Sequence, residues 1–344
     1  MAIKGEWYEC DTSFIAAHHQ PAILLDLGIS REVDSHLLLR GTQLFVDDIL
    51  TGKKRISPLQ FRTLIANTQK HLAADDTSFL YGERLLPGYY GDVSQVLHQS
   101  ENLGKAIQHL CDSHALLSPL LTPRMIQSNT HLHIYWLDSC GAGDTLTFLV
   151  EASMMAVSSM THWLSGERMP WRFSCTYAQP SYIEQYWVHM NEEVSFDQQL
   201  NMMSLPLSCL DRPWPGASAI ALRAAQVGSQ LQMDTLDARE SFLSMLYNHL
   251  RQHIRQPLNL DSVAEAFGMS PASFKRKLQK HDTHFQEQLD LARMHVALYL
   301  YEVRGYNNQD VAHYLRFNDL NNFRRSFKRW TGVTPGEMLA AGYR

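Results

Sequence analysis

An α+β N-terminal domain followed by an all-α C-terminal domain with two tandem helix-turn-helix motifs is the architecture this 344-residue chain predicts. Three observations predict it. Apolar residues recur at helical spacing through the first third, alternate as in strands through the middle, and return to helical spacing in the last hundred residues. A helix, tight turn and helix pattern occurs twice in that last part, roughly fifty residues apart. Charge is also divided: Leu236 to Arg344 holds 15 Lys+Arg against 11 Asp+Glu, net +4, which leaves net −9 upstream in a chain of net −5. At 39.4 kDa the chain is about twice a usual domain, so the boundaries are set at 1–215 for the α+β domain, 216–235 for a linker and 236–344 for the helical domain.

Taken in order, Phe14 to Leu120 reads as mostly helical. Ser57 is an N-cap with Pro58 at N1, and Phe61, Leu64, Ile65 and Leu72 follow on one face. Glu101 to Leu117 repeats the pattern through Leu103, Ile107, Leu110 and His114. Between them, residues 79–97 carry Gly82, Gly88 and Gly91 among tyrosines and predict a turn-rich connection. Thr130 to Trp136 alternates as a strand, and Thr145 to Glu151 predicts a second one closing a hairpin over the turn DSCGAGD. Glu151 to Leu164 returns to helix, Trp171 to Tyr177 is strand-like, Ser181 to Met190 is helical, and two short strands lie between Val194 and Leu210. The run DRPWPGASA marks the domain's end.

Several function classes are excluded on composition and spacing. The five cysteines, Cys10, Cys111, Cys140, Cys175 and Cys209, are odd in number and scattered without a CxxC pair, so they read as reduced thiols. The N-terminus lacks an apolar leader segment, and no stretch reaches the ~18 apolar residues of a membrane span; a cytoplasmic protein with no membrane partner is expected. His131 and His133 share one strand face, a geometry that can hold a metal, but no Glu or third His stands at a spacing that completes a site. No nucleophile with an adjacent base, glycine-rich phosphate loop or carboxylate pair stands out. Neither an enzyme nor a cofactor or metal is expected.

The C-terminal domain carries the chemistry. Leu236 to Ile254 predicts an amphipathic helix with Leu243, Leu246 and Leu250 inward. In LDSVAEAFGMSPASFKRKLQ, Asp261 is read as the cap of a short helix, Gly268 as the turn and Ser270-Pro271 as the start of a second helix. Val263, Ala264 and Phe267 then pack under Phe274 and Leu278, while Ala272, Lys275, Arg276 and Gln279 face outward. The grammar returns in NQDVAHYLRFNDLNNFRRSFKRW. Phe323, Phe327 and Trp330 form one stripe, with Asn318 or Asp319 as cap, and Gly332 then Pro335 end the helix. Asn321, Asn322, Arg325, Lys328 and Arg329 point away from that stripe, and such a face suits a major groove, where Arg reads guanine and Asn reads adenine. Phe285 to Arg304 holds neither Gly nor Pro, and as a helix of about 30 Å it nearly spans the ~34 Å between successive major-groove faces.

With these residues in view, Leu236 to Leu339 resembles the DNA-binding domain of the AraC/XylS family of bacterial transcription regulators, above all through FRRSFKRWTGVTP. The upstream domain is similar, more weakly, to the arabinose-binding type of sensor domain in that family. The resemblance implies base-reading positions at Ala272, Lys275 and Arg276 in the first motif and at Asn321, Asn322 and Arg325 in the second. Lys277, Lys280, Lys328 and Arg329 are assigned to phosphate or water, since most protein–DNA hydrogen bonds go to the backbone. The reading is then a regulator with double-stranded DNA as partner and RNA polymerase as a further one, whose residues 1–215 sense a small-molecule effector, form a homodimer that pairs two chains on repeated sites, or do both. The alternatives are control by a protein partner, or a metal-binding or enzymatic N-terminal domain fused to a DNA-binding tail. The chain departs from the family at Ala272, where a longer side chain is common, and at Arg316, where a glycine usually ends the helix. There a Cβ at positive φ costs about 1 kcal/mol, so either Arg316 takes the left-handed conformation or the turn shifts to Asn318.

Overall fold

A computed structural model of the chain describes residues 6–190 and 193–340. Residues 1–5, where an apolar leader is not expected, lie outside that span. The chain divides into two compact units, one over Glu6–Ile126 and Thr130–Ser241 and one from Phe242 onward.

The first unit pairs β1 (Ile15–Ala16) antiparallel with β2 (Arg55–Ile56), and α1 (Gln20–Ser30), α2 (Ser35–Leu38) and α3 (Val46–Leu50) lie between them in sequence. α4 (Pro58–Leu72) begins as the sequence requires. Ser57 Oγ accepts from the Gln60 N–H at 3.3 Å and the Ser57 N–H donates back to Gln60 Oε1 at 2.9 Å, closing a capping box. α5 (Thr77–Leu85), α6 (Asp92–His98), α7 (Leu103–Asp112) and α8 (His114–Leu117) complete the helical part. Residues 79–97 are therefore helix at both ends and a turn only in the middle, which corrects the expectation of a turn-rich connection. Gly82 sits inside α5 because a Cβ there would come within 2.6 Å of the Ala152 carbonyl oxygen. It is a packing glycine, not a turn glycine.

A five-stranded sheet follows, in the order β3 (Leu121–Gln127), β4 (His131–Asp138), β7 (Met202–Pro206), β5 (Arg172–Ser174), β6 (Val194–Ser195). β4 runs antiparallel to β7 with Ile134 opposite Met203, and β5 is antiparallel to β7 and parallel to β6. The strand expected over Thr145–Glu151 does not form; α9 (Leu146–Ser165) begins there instead. Asp138 supplies the reason. Its carboxylate accepts from the N–H groups of Cys140, Gly141 and Ala142 at 2.9, 2.8 and 2.6 Å, which curls DSCGAGD into a helix entry rather than a hairpin. α10 (Ile183–His189) lies between β5 and β6 in sequence.

The segment expected as a linker, 216–235, is largely α11 (Ala219–Asp234). Ser218 caps it, and its Gly228 faces the Asp92 carboxylate so closely that a Cβ would lie within 2.0 Å of Oδ2. Gln232 donates to the Tyr90 carbonyl and accepts from the Val93 N–H at 3.2 Å. These bonds and that close approach fasten α11 to α6, within the first unit.

The second unit is all helix: α12 (Phe242–Gln252), α13 (Leu260–Ala266), α14 (Pro271–Lys280), α15 (Phe285–Glu302), α16 (Asn308–Tyr314), α17 (Leu320–Thr331) and α18 (Pro335–Ala340). Among the described residues no helix is long and apolar enough to cross a membrane, and no group of three or more His, Cys, Asp or Glu converges in a way that could hold a metal. His133 Nδ1 instead bonds Ser204 Oγ at 2.8 Å, and burial with His131 beside it pulls its pKa down to about 4.

Candidate nucleic-acid interface

The first helix-turn-helix unit is α13 and α14. Its cap is Asn259 rather than Asp261. Asn259 Oδ1 accepts from the Ser262 N–H at 2.8 Å while the Asn259 N–H donates to Ser262 Oγ at 3.3 Å, and Asp261 sits in the first turn, where its charge favours the helix's positive end. The turn closes when the Gly268 N–H donates to the Glu265 carbonyl at 2.9 Å and the Met269 N–H to the Ala264 carbonyl at 2.9 Å, with Gly268 at φ +67°. Ser270 caps α14, accepting from the Ser273 N–H at 3.2 Å. Phe274 is fully buried, its ring 5.5 Å from that of Phe267 and 5.6 Å from that of Phe242 on α12. Ala272, Lys275, Arg276 and Gln279 are exposed on the opposite face. Lys277 is half-buried with its ammonium 5.5 Å from the Phe242 ring, so it packs on the scaffold rather than standing clear for phosphate.

α15 separates the two helix-turn-helix motifs. Its 18 residues span about 27 Å at 1.5 Å per residue, and it packs against α12, α16 and α17. The second motif repeats the two turn bonds of the first. Asn307 caps α16, accepting from the Gln309 and Asp310 N–H groups at 2.8 and 3.0 Å. The Arg316 N–H donates to the His313 carbonyl at 3.0 Å and the Phe317 N–H to the Ala312 carbonyl at 2.9 Å. Arg316 holds φ +61°, so the turn has not shifted to Asn318. Its guanidinium Nη1 donates to the Arg255 carbonyl at 3.1 Å, a bond that ties the turn to the segment after α12.

α17 separates a buried aromatic face from an exposed polar one. Phe323 and Phe327 are fully buried, with Phe317 and Trp330 packed on them at ring distances of 5.5 and 6.5 Å. Asn321, Asn322, Arg325, Lys328 and Arg329 are exposed. Asp319 organises this face as well as capping the helix. One of its oxygens accepts from the Asn322 N–H at 2.7 Å, the other from the Asn322 side-chain amide, and Asn322 Oδ1 accepts from Arg325 Nη2 at 2.7 Å. Asp319, Asn322 and Arg325 recur every three residues, a spacing at which helix side chains meet, so this chain of bonds has a local sequence signal. Arg329 is held differently: its Nη2 pairs with Asp290 of α15 at 2.8 Å. No local signal announces Asp290, which lies 39 residues away.

Residues 33–214 match a family described as the arabinose-binding domain of AraC transcription regulator, N-terminal, which is more than half of the chain, and residues 263–341 match a helix-turn-helix domain. The chain belongs to the AraC family of transcription regulators. It is similar to an ornithine utilization regulator of Pseudomonas aeruginosa, 25% identical over 319 residues that cover 92% of this chain and 94% of the relative. It is also similar to an uncharacterized helix-turn-helix-type transcriptional regulator of Mycobacterium tuberculosis, 27% identical over 150 residues, 44% of each protein. Among solved structures, the transcriptional regulator CdpR from Pseudomonas aeruginosa aligns at 18% identity with a TM-score of 0.36, over 76% of this chain and 85% of that one. As an AraC-type regulator the chain is a DNA-binding transcription regulator with a sensor-type N-terminal domain. In this AraC-type chain α11 falls between the two matched spans.

Proposed function

We propose that α14 and α17 read DNA sequence together, and that a small-molecule effector bound in the first unit controls them. The single observation that carries this reading is the repetition of one capped and closed turn geometry under two exposed polar helix faces. Arg276 and Arg325 supply the strongest base contacts, with Ala272, Lys275, Gln279, Asn321 and Asn322 adding discrimination. Lys328 meets phosphate, and Arg329 does so by exchanging Asp290 for it. The first unit is a sensor and not an enzyme, and the regulator works in the cytoplasm with RNA polymerase as its further partner. A titration of the full chain against its in vitro selected site tests the reading: the logarithm of affinity should fall linearly with the logarithm of salt, as released counterions require. A flat salt dependence, or equal affinity for selected and random DNA, overturns it.

The reading includes a homodimer. On α11, Ile220, Val227 and Leu231 are 87%, 57% and 64% exposed, at intervals of seven and four residues, while Ala225, Ser229 and Met233 face inward. That is the spacing of a two-helix seam, and it supports pairing of two copies. Sedimentation of the full chain should give a dimer that Val227→Glu with Leu231→Glu reduces to monomer; a wild-type monomer at high concentration counts against it.

A further inference from the structure

The first unit contains a cavity whose chemistry narrows the effector. It is a cleft open to solvent among α1, α4, α5, α7, α8, β3, β4 and α9, and the space between its walls, open solvent included, is about 500 Å³. Phe61, Tyr81, Leu110, Leu117, Trp136 and Leu149 form its apolar walls. Its other lining residues are equally uncharged: no Asp, Glu, Lys, Arg or His is among them.

The polar atoms at its walls are largely spoken for by backbone. Gln20 Nε2 donates to the Leu116 carbonyl at 2.6 Å, Ser118 Oγ to the Leu121 carbonyl at 2.7 Å, and the Tyr81 hydroxyl to the Gln20 carbonyl at 3.3 Å. What remains for a ligand is the amide oxygen of Gln20, the hydroxyl of half-buried Ser153 and the indole N–H of Trp136. The carboxylate of Glu151, on the same helix as Ser153, lies outside the lining, and its oxygens accept from Ser78, Tyr182 and Tyr186 at 2.6, 2.9 and 2.5 Å. A ligand ammonium would find no counter-charge in this cavity, a ligand carboxylate no cation, and a polyol too few partners for its hydroxyls.

We infer that this cavity is a ligand site for an uncharged, mainly hydrocarbon molecule with a single hydrogen-bonding head, held by apolar contact and oriented by Gln20 and Ser153. This deepens, and rests on, the reading of the first unit as a small-molecule sensor. The position of the walls gives such a ligand leverage. Gly82 holds α5 tight against α9, since its Cβ would also lie 2.7 Å from that of Met155, so a molecule entering between Tyr81, Leu85 and Ala156 acts on a packed helix pair.

The experiment is calorimetric titration of the full chain with 1-hexanol, 1-octanol and 1-decanol, and in parallel with L-ornithine and L-arabinose as charged and polyhydroxyl probes. Saturable binding of at least one alcohol is expected, with none of the two polar probes. Ala156→Leu, which fills the cavity, should weaken that binding at least tenfold. Leu117→Ala, which enlarges it, should shift preference toward the longer alcohol, and this keeps the test alive should the first variant not fold. No saturable alcohol binding, or alcohol binding indifferent to both substitutions, overturns the proposal. The affinity for selected DNA, measured with each probe, separates the two readings. Alcohol binding that leaves DNA affinity unchanged preserves the site but removes effector control. A polar probe that shifts DNA affinity while no alcohol binds preserves effector control and removes the apolar site.

Discussion

The two helix-turn-helix units share their backbone bonds but differ in how each turn and reading face is held. The first turns on Gly268 and presents Ala272, Lys275 and Arg276 with no bond tying them to one another among the described contacts; the second turns on Arg316 and strings Asn322 and Arg325 from Asp319. Identical backbone geometry therefore rests on unequal side-chain means. The first motif has a relaxed turn and an adaptable face, and the second motif a strained turn and an organised face.

The largest expected effect lies where the units are alike. Phe274 and Phe323 are both fully buried beneath their reading helices. Phe274→Ala and Phe323→Ala should each destabilise the second unit by about 3–5 kcal/mol, since each removes an aromatic ring and leaves a cavity. Urea denaturation of the full chain, followed by a probe in that unit, measures both. A cost under about 1 kcal/mol at either position means that its helix is not anchored as described.

The reading faces should separate next. Arg325→Ala is expected to cost about 1–3 kcal/mol on selected DNA and to relax preference at one or two base pairs, whereas Lys328→Ala weakens all sequences alike and lowers the salt slope by about one. Arg276→Ala should fall at the lower end of the same range, because Arg276 lacks the fixed neighbours that hold Arg325. Asp319→Ala sharpens the contrast. It removes a cap that contributes about 0.5–2 kcal/mol to stability and also the anchor of the Asn322–Arg325 string, so specificity should drop more than the stability loss alone explains. Equal losses on selected and random DNA for Arg325→Ala would refute the assignment.

Much of this was legible in the sequence because it is local. Caps at Ser57, Ser270 and Asp319, the stripe Phe323, Phe327, Trp330 and the positive-φ turns all follow from residues within four positions of one another. What escaped was set by distant or competing bonds. Asp138 turned an apparent hairpin into a helix entry, and Gly82 read as a turn until Ala152 was brought against it. Gly228 and Gln232 made a packed helix of an expected linker because Asp92 and Tyr90 lie elsewhere in the chain. In the interface the exposed residues were legible and their tethers were not: Asp290 reaches Arg329 only through the fold.

Acid should distinguish the two sides of the second unit. His295 on α15 bonds the Tyr247 hydroxyl of α12 at 3.0 Å beside the first motif, and burial lowers its pKa to about 3. On the second motif's side, α15 meets α17 through Tyr301 and Phe327, rings 5.9 Å apart, and through the Asp290–Arg329 pair at 2.8 Å, with no imidazole in either contact. The unfolded histidine titrates near 6.5, so the stability held by neutral His295 is complete above about pH 6.5. It drains as pH falls toward 3, at up to about 1.4 kcal/mol per pH unit. Hydrogen exchange on acidification should open α12 before α17, and His295→Gln should flatten the slope. Simultaneous opening, or an unchanged slope, removes His295 as the cause.

The smallest effect tests the asymmetry itself. Gly268 and Arg316 close the same turn at φ +67° and +61°, and a Cβ on Gly268 would meet nothing within 4 Å, so any cost of adding one is conformational rather than steric. Gly268→Ala should therefore destabilise by about 1 kcal/mol. Arg316→Gly removes that strain but also loses the exposed bond to the Arg255 carbonyl and gives the unfolded chain more freedom, so its net effect is small and uninformative alone. Arg316→Ala isolates the term, because it loses the same bond while keeping the Cβ. The glycine variant should be the more stable of the two by about 1 kcal/mol, matching in size and opposing in sign the change at Gly268. If alanine equals or exceeds glycine at 316, the left-handed turn there carries no strain, and the contrast between the two units rests on their reading faces alone.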